Sequence, residues 1–349
     1  MKIYLANIYP WMFPDGARRL LVQHGHELAG NWLQPPHRQS LHRFGPDVIV
    51  YSPHRRDGVQ HDLPMEMPVE VVKEVPTVLW AIYPDYLTGW DKEHNVHANG
   101  LIEPFKKMLP HFRVRLVNSG FTKRLLEARA PGYTFEVCYL GIDAEGIAKA
   151  AAGKQRWGRP TSVMWQHRWA TYKNLPGALE IILHLAPRYS QVTFYLGRKE
   201  DWEEFWSPQW LKDLYAARAP ELARLANVRL TPRPPTQEEY WSLIADMDIA
   251  FSCSYHESFG IAMLEHAYLG AACVVPDRVA YPEVHTGALV VAPSQVEAGI
   301  ESLLNDPVLW HQVAASSRAN AAQYTVERTV DRLLGFIESV SSSLVRIHE

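Results

Sequence analysis

Two short segments of this chain gather residue types that could hold a phosphorylated sugar. The first runs Tyr255-His256-Glu257-Ser258-Phe259-Gly260-Ile261-Ala262-Met263-Leu264-Glu265-His266-Ala267, with two glutamates eight positions apart. Glu257 follows a short apolar run, and Glu265 falls inside the helical stretch that begins near Phe259 and Gly260. A glycine at a helix start lets backbone approach a ligand, and the unpaired N–H groups there attract phosphate. Such a strand-loop-helix suits a nucleoside diphosphate sugar, with the helix start on the pyrophosphate, one carboxylate on the ribose and the other on the sugar. The same spacing fits two solvent-facing carboxylates on an ordinary helix, and spacing does not separate the two accounts. The second segment, Trp165-Gln166-His167-Arg168-Trp169-Ala170-Thr171-Tyr172-Lys173-Asn174, lies between a strand and a helix and carries two cations. Taken by itself it is also an aromatic loop with surface charge.

Other candidates are weaker. Asp246-Met247-Asp248 has the D-x-D form used by metal-dependent transferases of a different fold, but it stands at a helix-to-strand junction. It reads as a cap and a strand start, and no metal is expected. The 16 histidines show no metal spacing such as H-E-x-x-H, and His24, His26, His94 and His97 read as polar surface. Cys138, Cys253 and Cys273 are odd in number, widely spaced and set among apolar residues, which indicates neither a disulfide framework nor zinc. Pro53-His54-Arg55-Arg56 and the pair Arg113 and Arg115 could meet acceptor phosphates or be solvated surface.

These segments need elements to position them. The 349 residues are about two domains' worth of chain, and a 47% hydrophobic fraction excludes a disordered one. The net charge of -3 excludes a generally basic nucleic-acid binder while leaving room for a local basic patch. No apolar run approaches the ~18 residues of a membrane span. Met1 to Ala6 reads as a strand with no apolar leader and cleavage site after it, so the expectation is a cytoplasmic protein without stable membrane insertion. In the first half, Ile3–Ala6, Val48–Tyr51, Thr77–Trp80 and Val114–Val117 read as strands alternating with helices over 17–24, 100–109 and 122–130. The polar, glycine- and proline-containing stretch from Gly153 to Pro160 reads as a linker. The alternation then restarts, with strands at 162–165, 191–197, 228–230, 249–252 and 272–275 and helices at 175–185, 237–246 and 260–269. Residues 326–345 form an amphipathic helix with Val330, Leu333, Leu334, Phe336, Ile337, Val340 and Leu344 on its apolar face. The expected class is α/β, with parallel, doubly wound sheets whose ligands sit at the carboxyl ends of the strands.

The wording of the two segments then becomes informative. His256-Glu257-Ser258-Phe259-Gly260 through Leu264-Glu265 resembles the E-x7-E signature of retaining glycosyltransferases of the GT-B fold, the large family 4 type. Gly270 to Pro276, followed by Pro282-Glu283, resembles that signature's continuation. In the family the first glutamate lies near the donor sugar and the second binds the ribose, which implies those roles for Glu257 and Glu265. The family also places an Arg in the loop after the first strand of the second half and a Lys at the next helix start, to neutralise the donor diphosphate; Arg168 and Lys173 match them. Fixed cations there stabilise the charge that the leaving diphosphate gains. The wording Trp165 to Asn174, His256 to Glu265 and Pro276 to Glu283, with Asn118-Ser119-Gly120-Phe121-Thr122, is similar to the branch that contains the tRNA-queuosine mannosyltransferases of animals. The resemblance covers roughly residues 115–285.

It implies two Rossmann-like α/β domains facing across a cleft: an acceptor-binding domain over 1–153, a nucleotide-sugar-binding domain over 154–325, and a C-terminal helix over 326–349 that packs back on the first. Donor contacts fall to Arg168, Lys173, Glu257, Ser258, Phe259, Gly260 and Glu265. On the acceptor side, the loop after the first strand has a single glycine, Gly16, where family members often have more, and Asn118 ends a strand. Where many members place a histidine, this chain has Tyr83-Pro84-Asp85, so Asp85 stands as the acceptor-side catalytic candidate or as a turn residue. The resulting expectation is a metal-independent, retaining transferase that takes a GDP- or UDP-linked sugar as substrate and needs no cofactor. The acceptor is a modified base in DNA or tRNA, or else a glycan or lipid-linked sugar, and 12 Trp and 16 Tyr could stack on either. A nucleotide-sugar epimerase of the same fold and a non-catalytic binding module are the competing readings. The sequence leaves the oligomeric state open.

Overall fold

The computed structural model describes residues 1–6, 15–31, 41, 43–52, 74–81, 102–151, 158–197, 209–232 and 234–345. They belong to two compact units, Met1–Asp143 with Tyr324–Glu349, and Ala144–Gln323. The first unit contains β1 (Lys2–Ala6), α1 (Asp15–Gln23), β2 (Glu27–Asn31), β3 (Val48–Tyr51), β4 (Thr77–Ala81), α2 (Ile102–Met108), β5 (Val114–Val117), α3 (Gly120–Arg129) and β6 (Glu136–Val137). Its six strands form one parallel sheet in the order β2-β1-β3-β4-β5-β6. Every residue of β3 and β4 is buried. That is why these strands are continuous apolar runs, as strands covered on both faces must be.

The second unit opens with α4 (Ala144–Ala150), which packs on a later helix, and then winds its own sheet. Its elements are β7 (Ser162–Trp165), α5 (Leu175–Leu185), β8 (Thr193–Leu196), α6 (Gln209–Ala223), β9 (Val228–Leu230), α7 (Gln237–Ile244), β10 (Ile249–Phe251), α8 (Ile261–Tyr268), β11 (Ala272–Pro276), α9 (Tyr281–Val284), β12 (Leu289–Val291), α10 (Val296–Asn305) and α11 (Pro307–Ala321). The order is β12-β11-β10-β7-β8-β9, again all parallel. Trp165, Phe194, Phe251 and Val274 from the strands share one apolar core with Leu179 and Ile182 of α5, Ile300 and Leu303 of α10, and Trp310 of α11. The N-terminal edge is pinned by Asp248, whose Oδ2 accepts from the Thr161 amide at 2.8 Å and from the Thr161 and Ser162 hydroxyls at 3.1 Å each. The D-x-D pair therefore stands at the strand starts, the end of the sheet opposite the loops that carry Lys173 and Glu257.

The chain then returns to the first unit. Ile142 bridges Thr325, with the Ile142 amide donating to Tyr324 O and the Val326 amide to Ile142 O, both at 3.0 Å. The approach is so close that a Cβ on Gly141 would lie 2.2 Å from the Thr325 carbonyl carbon. Helix α12 (Val326–Val345) follows and lays Val326, Val330, Leu333, Ile337 and Val340, all buried, against α1 and β4. The expected packing of the terminal helix on the first unit is what the structure has. No helix among the described residues is long and apolar enough to cross a membrane.

Candidate functional site

In the second sheet, β7 is followed by β8 and β9 on one side, after which the chain crosses back so that β10 pairs on the other side of β7. The chain therefore continues from β7 and β10 to opposite sides of the sheet, and the crevice outside the carboxyl ends of two such neighbours is where an open α/β sheet binds ligands. Both segments singled out from the sequence leave the sheet at this point.

The β7 loop is stiff. Trp169 is fully buried and its indole N–H donates to Gly197 O at 2.7 Å, just past the end of β8. The buried Gln166 side chain lies over Gly197 so closely that a Cβ there would meet Oε1 at 1.6 Å. Arg168, half-buried, stands between these two anchors. The loop ends in a single 3-10 turn, Thr171–Lys173, and at Asn174, which adopts the left-handed conformation with φ 57°. Asparagine tolerates that region, and its side chain caps α5 by accepting from the Gly177 amide at 3.0 Å. Its amide nitrogen reaches across to Cys253 O at 3.1 Å, which ties the β7 loop to the β10 loop. Two backbone bonds complete the seam: the Tyr255 and His256 amides donate to Tyr172 O at 2.9 and 3.3 Å.

Across that seam Lys173 Nζ and Glu257 Oε2 are 2.5 Å apart, with side chains only 12% and 14% exposed. Two residues 84 positions apart in sequence are thus joined at the crevice. Behind Glu257, Ser258 and Phe259 are buried, and Gly260 turns the chain into α8 at φ 86°. A Cβ on Gly260 would lie 2.6 Å from His285 Nε2. That nitrogen is 3.2 Å from Phe259 O, so it carries the proton and donates. Burial pushes the His285 pKa down to about 4, against weaker upward pulls from Phe259 O and the Glu257 charge, and holds the ring neutral. The Tyr281 hydroxyl donates to Ser252 Oγ at 2.6 Å, and Ser252 Oγ to Ser254 Oγ at 3.0 Å; burial raises the Tyr281 pKa well above its usual value. Glu265, on the fifth residue of α8, accepts from Trp241 Nε1 at 2.8 Å and Gln237 Nε2 at 3.3 Å, both on α7.

The arrangement therefore supplies one cation paired with a carboxylate, a second carboxylate held on the next helix, and a left-handed glycine between them. The structure places the residues expected from the sequence, Arg168, Lys173, Glu257, Ser258, Phe259, Gly260 and Glu265, on these two loops and the helix α8. Sequence reasoning assigned no role to His285, Trp241 and Gln237, which contact these segments from neighbouring elements and carry no spacing signal, and quoted Tyr281 only as part of the Pro276–Glu283 wording. Of the acceptor-side candidates, Gly16 and Asn118 lie in the first unit, after β1 and β5. Gly16 faces the buried Asp143 carboxylate, with a Cβ position 2.7 Å from its Oδ2, and Asp143 pairs with Arg19 at 3.0 Å. Asn118 is fully buried, and its Oδ1 accepts from Thr122 Oγ1 at 3.1 Å in the cap of α3. Asp85, like Arg55 and Arg56, lies outside the described residues. Arg115 is half-buried, donates to Leu109 O at 3.0 Å and stacks over Tyr133, so its guanidinium is engaged within the first unit.

Two parallel doubly wound α/β units, with the terminal helix returned to the first, define a GT-B fold. Residues 211–326 match the family model described as Glycosyl transferases group 1. The chain resembles the tRNA-queuosine alpha-mannosyltransferase of Drosophila melanogaster, at 25% identity over 191 residues, 53% of this chain and 45% of that protein. It thus spans less than half the length of that relative. In structure it is similar to an alpha,alpha-trehalose-phosphate synthase (UDP-forming) from Burkholderia vietnamiensis, with TM-score 0.71 at 14% identity over 97% of this chain and 99% of that one. It is also similar to Anabaena Alr3699/HepE in complex with UDP and glucose, with TM-score 0.65 at 18% identity over 97% and 100% of the two chains.

Proposed function

We propose that the chain is a retaining glycosyltransferase that moves a sugar from a nucleoside diphosphate donor to an acceptor hydroxyl on a modified nucleobase. The observation that carries the reading is the Lys173–Glu257 pair at the crevice between β7 and β10, within a segment worded like the E-x7-E signature. In this reading Arg168 and Lys173 hold the donor diphosphate, Glu265 accepts from the ribose hydroxyls, and Glu257 faces the sugar. The bond between the anomeric carbon and the β-phosphate oxygen breaks while the acceptor oxygen bonds to the same face of that carbon. The acceptor proton passes to the departing phosphate oxygen. Arg168 and Lys173 stabilise the charge that builds there, and because they are already fixed, little reorganisation is needed. The reading needs no metal and no cofactor, and it places the protein in the cytoplasm. The mannosyltransferase relative supports the nucleobase acceptor.

The test is incubation with GDP- and UDP-linked sugars, measuring released nucleotide against a no-protein blank, with and without RNA and DNA. Nucleotide release that rises with a nucleic acid, survives EDTA and falls in Lys173→Ala is expected. Absence of both nucleotide binding and release with every donor would overturn the reading.

A further inference from the structure

Tyr255 and Arg278 have no role in the donor chemistry above; Tyr255 stands on the β10 loop that carries Glu257, and Arg278 on the adjoining loop after β11. Tyr255 is two residues before Glu257 and 36% exposed, while its neighbours Ser254, His256, Ser258 and Phe259 are buried. The Arg278 guanidinium lies over its ring, 5.6 Å from the centroid, within reach of a cation–π attraction. The β11 loop holds Arg278 there. The Ala280 amide donates to Glu257 O at 3.4 Å and the Arg278 amide to Pro276 O at 2.7 Å. Between them Val279 sits at φ 52°, a left-handed conformation that a β-branched residue rarely adopts. On the adjoining loop Lys173 lies over Tyr172 at 5.1 Å, and Tyr172 O accepts from the Tyr255 amide. Two tyrosine–cation stacks thus adjoin the Lys173–Glu257 pair.

The charges differ between them. Lys173 has its carboxylate, whereas among the described residues no carboxylate forms an ion pair with Arg278. An exposed ring with a guanidinium over it presents a flat, sequence-tolerant surface for a base, and a guanidinium without a carboxylate suits a phosphodiester. A neutral sugar could stack on the tyrosine but would leave the cation without an anion. A base inside a duplex has both faces covered, so the matching ligand is an unpaired nucleotide. We propose that Tyr255 and Arg278 form the acceptor platform for an unpaired nucleotide of a single-stranded or looped nucleic acid. This rests on the transferase reading above and names the substrate class for the same site.

The experiment measures two affinities separately. One is for GDP and UDP, the other for a labelled RNA stem-loop with an unpaired loop, compared with a blunt RNA duplex and a neutral oligosaccharide. The wild type is expected to prefer the stem-loop to the duplex. Tyr255→Ala should weaken stem-loop binding about 5- to 160-fold, the range for losing one stacked base, and Tyr255→Phe should restore it. Arg278→Ala should flatten the log-log salt dependence by about 0.7, the value of one single-strand phosphate contact, with Arg278→Lys recovering part of the slope. Nucleotide affinity should stay within about twofold in all four variants. The proposal is overturned by equal stem-loop affinity in wild type and Tyr255→Ala. It is also overturned by a parallel loss of GDP or UDP affinity, which would move both residues to the donor. Oligosaccharide binding lost in Tyr255→Ala without any RNA binding would identify a sugar platform instead. If the wild type binds RNA in this pattern but no nucleotide, the platform stands and the transferase reading fails.

Discussion

The turn between the two glutamates makes a quantitative claim about Gly260. At φ 86° an alanine there costs about 1–2 kcal/mol for the left-handed backbone. Its Cβ would also stand 2.6 Å from His285 Nε2 and 3.1 Å from Tyr281 Cε1, both fully buried side chains with little room to yield. Overpacking of that kind costs about 1–3 kcal/mol, so Gly260→Ala should lose about 2–5 kcal/mol. Gly158 in the same unit supplies the control. Its φ is 90°, yet nothing lies within 4 Å of its Cβ position, so Gly158→Ala should lose only the conformational part. At about 2–4 °C per kcal/mol for a unit of this size, the two variants should differ by roughly 2–12 °C in melting temperature. Calorimetry of both, together with Gly260→Ala/His285→Ala, separates the contributions, because removing the imidazole should restore part of the loss through a coupling of about 0.5–3 kcal/mol. Melting temperatures for Gly260→Ala and Gly158→Ala that agree within a degree would refute the claimed contact between the turn and His285.

Three further outcomes follow from the same geometry. His285 has its pKa lowered from 6.5 to about 4 by burial, facing Tyr281 and the Glu257 carboxylate, so the unfolded chain binds its proton first as pH falls. Its contribution is therefore full above about pH 6.5 and declines toward pH 4 by about 3 kcal/mol; denaturant titrations of His285→Gln should show a flatter pH dependence over that window, and an unchanged slope would contradict the assignment. Lys173→Ala removes the cation that pairs with Glu257 at a site only 14% exposed, and should weaken GDP or UDP binding about 10- to 100-fold by calorimetric titration; unaltered affinity would remove Lys173 from the donor site. Trp241→Phe deletes the 2.8 Å donor to Glu265, so the preference for a ribonucleoside over a 2′-deoxyribonucleoside diphosphate should shrink, and an unchanged ratio would separate Glu265 from the ribose.

The central strands were legible because burial on both faces leaves a strand little choice but Val, Ile, Leu and aromatic residues: β3 is Val48-Ile49-Val50-Tyr51 and β4 is Thr77-Val78-Leu79-Trp80-Ala81. Edge strands lack that constraint. The sequence reading passed over β2 (Glu-Leu-Ala-Gly-Asn), the two-residue β6 and the half-exposed β12, and with them the full strand order of either sheet. Helix α6 was missed as well, because Pro220 interrupts its pattern and it buries only Leu211 and Leu222. At the candidate site, Glu257 and Lys173 were singled out through motif wording, while their contact was not readable, since it depends on β10 returning beside β7. His285 illustrates the limit. A histidine in a run such as Glu283-Val284-His285-Thr286-Gly287 looks like any polar residue, and only the fold brings it under the Phe259 carbonyl.

The eight-residue separation of Glu257 and Glu265 is easily misread as helical periodicity. Only Glu265 is on a helix, four residues past Ile261, which places it about 6 Å along the axis of α8 from its first residue. Glu257 precedes the left-handed turn and is held by the β7 loop through Lys173, whereas Glu265 is held by α7 through Trp241 and Gln237. The two carboxylates therefore have different partners from different elements. One residue added between Ile261 and Glu265 would rotate Glu265 by about 100° around α8, away from Trp241, while leaving Lys173–Glu257 intact. One removed between Glu257 and Gly260 would do the reverse. The spacing is thus a property of two anchored ends joined by one glycine turn. This is why the wording around Gly260 matters more to the site than the count of residues between the acids.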